Sequence, residues 1–267
     1  MVSATVITSP ANSRVQYVRA LARRRTRQRE RRFVVEGVRL VEEALRAGTM
    51  PALAFFTEGL DTAARGRTIL AELRVRRVLL LPVSDAVMRA MSDTQTPQGV
   101  LAVVPFPQLV PPSNPSLLLI VDGIRDPGNL GTLLRTAEAA GVEEVLLAPG
   151  TVDLYNPKVV RGAMGAHFRL PIRSQGWAEI ADTVSAMQVF LADARGEQVY
   201  DKVDWRVPSA LIVGGEAEGA TSRARELATA TVSIPMRGGT ESLNAAVAAA
   251  IILFEATRQR RLASNLT

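Results

Sequence analysis

The 267 residues contain no cysteine. Disulfides, thiol nucleophiles and cysteine-based zinc sites are therefore excluded, which accords with a reducing compartment. Histidine occurs once, at His167, which argues against a Ser-His-Asp triad and rules out a histidine-rich metal site, so no metal is expected. Lysine is nearly missing as well: Lys158 and Lys202 are the only two among 32 basic residues. No apolar run is long enough to span a bilayer, and the opening MVSATVITSP lacks the charged-then-apolar layout of a signal peptide. The expectation is a cytoplasmic protein with no membrane partner.

What is present describes a folded chain. A hydrophobic fraction of 47% argues against disorder, and the length allows one large or two ordinary domains. The net charge of +6 points to a polyanionic partner. That charge is unevenly placed. Arg14, Arg19, Arg23, Arg24, Arg25, Arg27, Arg29, Arg31, Arg32 and Arg39 face only Glu30 and Glu36 across the first forty residues. A charge run is often a solvated face. This one is one-signed and lies in an otherwise globular segment, which favours a phosphate-contacting patch, with Arg14, Arg23, Arg24, Arg25, Arg27 and Arg39 as its candidates.

Strand and helix patterns alternate along the chain. NSRVQYVRALA reads as a helix, RFVVEG as a strand, and VRLVEEALRAG as a helix stopped by Gly48. Strands are expected over Ala52 to Thr57, Arg77 to Leu81 and Gly99 to Pro105, and helices over Thr68 to Arg74 and Ser84 to Met91. PFPQLVPPSNPS then carries too many prolines to continue any element. The expected division is a domain over 1–106, a linker over 107–116 and a second domain over 117–267. In the second domain LLLIVDG, EEVLLAP, FRLPI, MQVFLAD, SALIVGG and TVSIPM are continuous apolar strands separated by helices, the pattern of a parallel sheet covered on both faces. The last helix, from Ser242 to about Arg260, aligns Leu243, Val247, Ile251 and Phe254 in one stripe.

Parallel α/β sheets bind ligands at the carboxyl ends of their strands. Three loops stand there: DGIRDPGNLGTLLRTAEAAG, LIVGGEAEGAT and SIPMRGGTESLNAAVAAA. The first enters like a phosphate loop, but its glycines do not fall as G-x-G-x-x-G and no Lys-Ser/Thr follows. A nicotinamide enzyme is disfavoured on that ground. Each polar residue also has a plain structural reading: Asn129 as a cap for a helix beginning at Leu130, Arg135 as a solvated helix residue, Glu216 as a turn carboxylate and Ser242 as another cap.

Together the three loops resemble, in order and spacing, the motifs of the SpoU (TrmH) family of RNA ribose 2′-O-methyltransferases, of the SPOUT superfamily. SPANSRVQYVRAL, RFVVEGVRLVEEAL and TQTPQGVLAVV resemble that family's N-terminal substrate-binding domain. The resemblance implies an α/β fold whose C-terminal parallel sheet contains a trefoil knot, an exception to the unknotted-chain rule. It is preceded by a smaller α/β RNA-binding domain similar to a ribosomal protein. It further implies S-adenosylmethionine as cofactor, held at Gly214, Gly215, Ile234, Met236 and Leu243. Asn129, Arg135, Glu216, Ser242 and Asn244 match the family's functional polar positions, and a homodimer through the C-terminal domain is implied. The sequence departs from the pattern at Ala217, where glycine is commoner, and at Ala246, near which a serine is usual.

Arginine stays charged in proteins and is a poor proton acceptor. Arg135 is therefore expected to clamp the neighbouring phosphate and stabilise a developing alkoxide, the proton leaving through that phosphate or a water, although the family's mechanism is often described with the arginine as base. Asn129 is expected to position Arg135 or the ribose, Glu216 to fix the cofactor loop, and Ser242 and Asn244 to orient the acceptor. The two-domain layout favours ribosomal over transfer RNA. A non-catalytic RNA-binding paralogue is the alternative from another class.

Overall fold

The computed structural model describes residues 5–215, 219–238 and 242–264. They form two compact units, one within residues 5–107 and 155–168, the other within 108–154 and 169–264.

The first unit opens with α1 (Ser13–Ala20), capped by Asn12, and α2 (Arg24–Glu30). There follow β1 (Arg32–Glu36), α3 (Val38–Arg46), β2 (Leu53–Phe56), α4 (Glu58–Thr62), α5 (Ala64–Val75), β3 (Leu79–Pro82), α6 (Asp85–Met91) and β4 (Val100–Pro105). Its sheet has the order β1-β4-β2-β3. β4 runs antiparallel to both neighbours, whereas β2 and β3 are parallel. The strand expected from Arg77 begins later, because Arg77 is left-handed (φ 57°) and Val78 closes α5 by donating to the Leu73 carbonyl. α2 was not legible: its RRTRQRE has no apolar stripe.

The second unit holds β5 (Leu117–Asp122), α7 (Pro127–Ala139) and β6 (Glu144–Leu147). The chain then adds α8 (Pro157–Ala163) and a 3-10 turn (Ala166–Phe168) to the first unit. It resumes the second with β7 (Ile172–Ser174), α9 (Trp177–Thr183), β8 (Gln188–Ala192), β9 (Gln198–Val199), β10 (Ser209–Gly214), α10 (Ser222–Leu227), β11 (Ala230–Ser233) and α11 (Ala245–Ser264). The strands pair in parallel in the order β7-β6-β5-β10-β8-β11-β9. Every residue of β5 is buried, as a central strand covered on both faces requires. No described helix is long and apolar enough to cross a membrane.

Tyr155–Phe168 leaves the linear domain division because of its aromatic content. Tyr155 stacks on Phe106 at 3.7 Å between ring centroids and packs on Phe33 at 4.8 Å, while Phe168 stacks on Phe33 at 6.0 Å. Val160 joins the same core, and Arg161 pairs with Asp93 at 2.6 Å. FRLPI accordingly forms a strand only from Ile172, since Phe168 belongs to that aromatic group.

The expected stripe on α11 is reversed. Val247 is 47% and Phe254 49% exposed, whereas Ala246, Ala249, Ile252, Leu253 and Ala256 are buried. Small residues let α11 lie close against α7 and β10, and Thr257 Oγ1 donates to the Ala140 carbonyl at 2.6 Å.

Candidate active site

Three loops at the carboxyl edge of the parallel sheet are tied together. Asp122, fully buried at the end of β5, accepts from the Thr221 backbone N–H at 2.7 Å, joining the first loop to the end of the second. Backbone packing joins them again. A Cβ on Gly214 would lie 2.7 Å from the Ala220 nitrogen, and one on Gly215 would lie 3.0 Å from the Gly123 carbonyl oxygen. The first approach is too close for a side chain and folds the second loop back on itself, while the second is a tight contact of that loop with the first.

The third loop reaches the first through two asparagines. Asn244 Oδ1 accepts from the backbone N–H groups of Ala246 (2.9 Å) and Val247 (3.3 Å), which makes it the cap of α11. Its Nδ2 donates to Asn129 Oδ1 at 3.0 Å. Asn129 itself does not cap α7. Asp126 does, accepting from the Asn129 N–H at 2.8 Å, with Pro127 as the first helical residue. The Asn129 side chain is thereby released to meet Asn244.

Beside these contacts lies a cavity of about 960 Å³. Gly214 and Gly215 line it from the second loop, and Ile234, Met236, Ser242, Leu243 and Asn244 from the third. Arg135 is solvent-exposed on α7 and makes no hydrogen bond or ion pair to a described residue. It is not among the residues lining the cavity. Glu216 and Ala217 lie outside the described residues.

The sequence reading missed a fourth wall. β8 lies between β10 and β11, and the turn after it contributes Asp193, Arg195 and Glu197 to the cavity, with Arg225 from α10. Asp193 Oδ1 accepts from the Arg195 N–H at 2.9 Å, and Oδ2 pairs with Arg225 Nη1 at 2.9 Å. The Arg195 N–H, against the opposing effect of burial and with help from Arg225, holds the Asp193 carboxyl below the usual carboxylate range. ADARG carries no recognised motif, so only strand order could reveal it.

S-adenosylmethionine requires room, a surface for its purine, and polar partners for its ribose and charged tail. The cavity volume falls within the roughly 300–1,000 Å³ of small-ligand sites. Val213, Ile234 and Leu243 supply apolar surface, and Asp193 and Arg225 supply both signs of charge. The residues present fit the cofactor.

The six arginines expected to meet RNA divide. Arg14, Arg23, Arg24, Arg25 and Arg39 are exposed. Arg27 is 3% exposed, and its Nη1 donates to the carbonyls of Leu21 and Ala22, both at 2.7 Å. It is a buried clamp on the turn between α1 and α2, so it drops out of the patch.

Comparison with known proteins gives a consistent result. The SpoU rRNA Methylase family model matches residues 116–254, and the MRM3-like substrate binding domain matches residues 12–102. The chain is similar to human mitochondrial rRNA methyltransferase 3, with 32% identity covering 94% of this chain and 74% of that protein. It is equally similar to the Bacillus subtilis 23S rRNA (guanosine(2553)-2′-O)-methyltransferase RlmP, with 32% identity over 93% and 97% of the two chains. Among solved structures it matches the SpoU methyltransferase AviRb from Streptomyces viridochromogenes in complex with AdoMet. There the TM-score is 0.86 and the identity 31%, covering 94% of this chain and 98% of that one.

Proposed function

The chain belongs to the SpoU rRNA methylase family, and from that premise we propose that it transfers a methyl group from S-adenosylmethionine to a ribose 2′-hydroxyl of ribosomal RNA. The observation that carries this reading is the Asn129–Asn244 hydrogen bond beside the glycine-lined cavity, which joins the substrate-side loop to the cofactor-side loop.

When bound, the cofactor supplies an electrophilic methyl group. Gly214, Gly215, Ile234, Met236 and Leu243 line the cavity that would hold it, and the two glycines let backbone approach closely there. Asn244, fixed as a helix cap, orients Asn129 at the mouth of the first loop. Ser242 and Asn129 align the ribose. Arg135, with its guanidinium free of described partners, takes the adjacent phosphate and stabilises charge as the hydroxyl proton passes to that phosphate or to water. Glu216 is assigned to holding the second loop on its sequence position.

The exposed arginines of the first unit bring the RNA by phosphate contacts. In this reading residues 1–106, completed by Tyr155–Phe168, form the RNA-receiving part. Residues 117–267 otherwise form the catalytic part, and 107–116 link them. Exposed Val247 and Phe254 support a homodimer packed through α11, whose capping Asn244 would then lie by the interface. A trefoil knot is also part of the proposal. Its support is that α11 follows β11, well away from the sheet centre, yet packs on α7, the helix that follows central β5.

The test is incubation of the full chain with methyl-labelled S-adenosylmethionine and ribosomal RNA, followed by nuclease digestion and nucleoside analysis. Label on a ribose 2′-oxygen is expected. Label on a base, or none, would overturn the reaction class.

A further inference from the structure

The strand order gives Asp193 a position that no loop motif marks. Val213 of β10 and Val232 of β11 both pair with Ala192, the last residue of β8. Asp193 follows at once, between the roots of the two loops that line the cofactor cavity. Its backbone is fixed from both sides. The Asp193 N–H donates to the Val232 carbonyl at 3.0 Å, and the Gly196 N–H donates back to the Asp193 carbonyl at 2.9 Å. Ser233 Oγ, one residue before Ile234, donates to the Gly196 carbonyl at 3.0 Å. On the other side Arg225 carries the link to the second loop, with its Nη2 3.8 Å from where a Cβ on Gly219 would stand.

Asp193 lines the cavity, and its side chain is 24% exposed. Each of its oxygens has one described partner, Arg195 N–H on Oδ1 and Arg225 Nη1 on Oδ2. An ionised carboxylate offers about two acceptor positions per oxygen. Among the described residues one position is therefore left on each, and two such positions on one carboxylate suit a vicinal diol. An acidic residue at a strand's carboxyl end serves ribose hydroxyls in the same way in dinucleotide-binding sheets.

We propose that Asp193 accepts the two ribose hydroxyls of S-adenosylmethionine, with Arg225 as the positioning residue that aims its carboxylate. This deepens the methyltransferase reading and rests on it. Asp193 contributes affinity and selects a ribonucleoside over deoxy analogues. Arg225 contributes only through Asp193.

Calorimetric titration of the full chain with S-adenosylhomocysteine and with its 2′,3′-dideoxy analogue tests this without measuring turnover. The unaltered chain should prefer the ribose form by roughly 10- to 100-fold, the scale of hydrogen bonds to a charged acceptor. In Asp193→Ala the affinity for the ribose form should fall by that factor and the preference should collapse towards one. Arg225→Ala should weaken the ribose form less and keep part of the preference. An unaltered chain that binds both forms equally would overturn the proposal, even if every Asp193 variant failed to fold. A preference unchanged in Asp193→Ala would likewise reduce Asp193 to a structural turn residue. Absence of any S-adenosylhomocysteine binding by the unaltered chain is a different result, overturning the cofactor reading and this inference with it.

Discussion

In the first unit β4 runs against both β1 and β2, so the loops of that sheet leave from opposite ends. In the second unit the paired strands run parallel, so the loops after β5, β8, β10 and β11 leave from one edge. A mixed sheet scatters its loops, and what the first unit offers a ligand is surface charge on its helices. A parallel sheet gathers residues far apart in sequence, as Asn129 and Asn244 show at 3.0 Å across 115 positions. On the proposed reading, affinity for RNA and chemistry on RNA would fall to different architectures within one chain.

The largest expected effect is on the first unit. Phe33, fully buried, packs on Phe106, Tyr155 and Phe168. Phe33→Ala should cost about 3–5 kcal/mol of stability, read by denaturant unfolding. A loss below about 1 kcal/mol would mean that Tyr155–Phe168 is not part of that core.

Next comes Arg135. If it were only a solvated helix residue, Arg135→Ala would cost under about 1 kcal/mol and leave turnover intact. As a charge-stabilising group its loss should reduce methyl transfer roughly a hundredfold or more, with cofactor affinity unchanged by calorimetry. Arg135→Lys should rescue little, since an ammonium lacks the planar fork. Near-native turnover in the alanine variant would remove Arg135 from the mechanism.

The arginine cluster separates by the same logic. Arg27→Gln should destabilise by about 1–3 kcal/mol, because it strips two carbonyls of a buried charged donor. Its RNA affinity, measured on the folded fraction, should keep its salt dependence. Replacing Arg23 and Arg25 with Gln should do the reverse, flattening the slope of log affinity against log salt by roughly 0.7–0.9 per lost phosphate contact at little cost in stability. Identical slopes for both variants would erase the distinction between clamp and patch.

The smallest change tests the bridge between loops. Asn244→Ser retains a good helix cap but is too short to reach Asn129. Stability should stay within about 0.5 kcal/mol, while methyl transfer should fall roughly tenfold, the worth of one hydrogen bond. Full activity in a folded variant would show that the Asn129–Asn244 contact does not orient the site.

The parallel sheet was legible because buried strands read as unbroken apolar runs such as LLLIV and ALIV. Its order was not, and with it went Asp193, whose importance comes from lying between β10 and β11. Arg27 and Arg25 look alike in sequence, since only packing decides which guanidinium turns inward. The α11 stripe misled for a related reason. Val247, Ile251 and Phe254 give the same periodic signal whether they face a core or solvent, and the buried face is written largely in alanine, which carries little periodic contrast. For Asn129 it is the plain reading as a helix cap that fails, because Asp126 takes the capping position and leaves the asparagine side chain for the site. Nothing local in NPKVVRGAMGAHF states which of two cores it will join.

That last segment has a consequence for the order in which the protein is made. β4 ends at Pro105, yet the core around Phe33 lacks Tyr155, Val160 and Phe168 until some sixty further residues have been synthesised. At about 5–20 residues per second that is a wait of roughly 3 to 12 s. Until then the partners that Phe33 and Phe106 find in Tyr155 and Phe168 do not exist, so that core can be complete only after the first strands of the parallel sheet have been made.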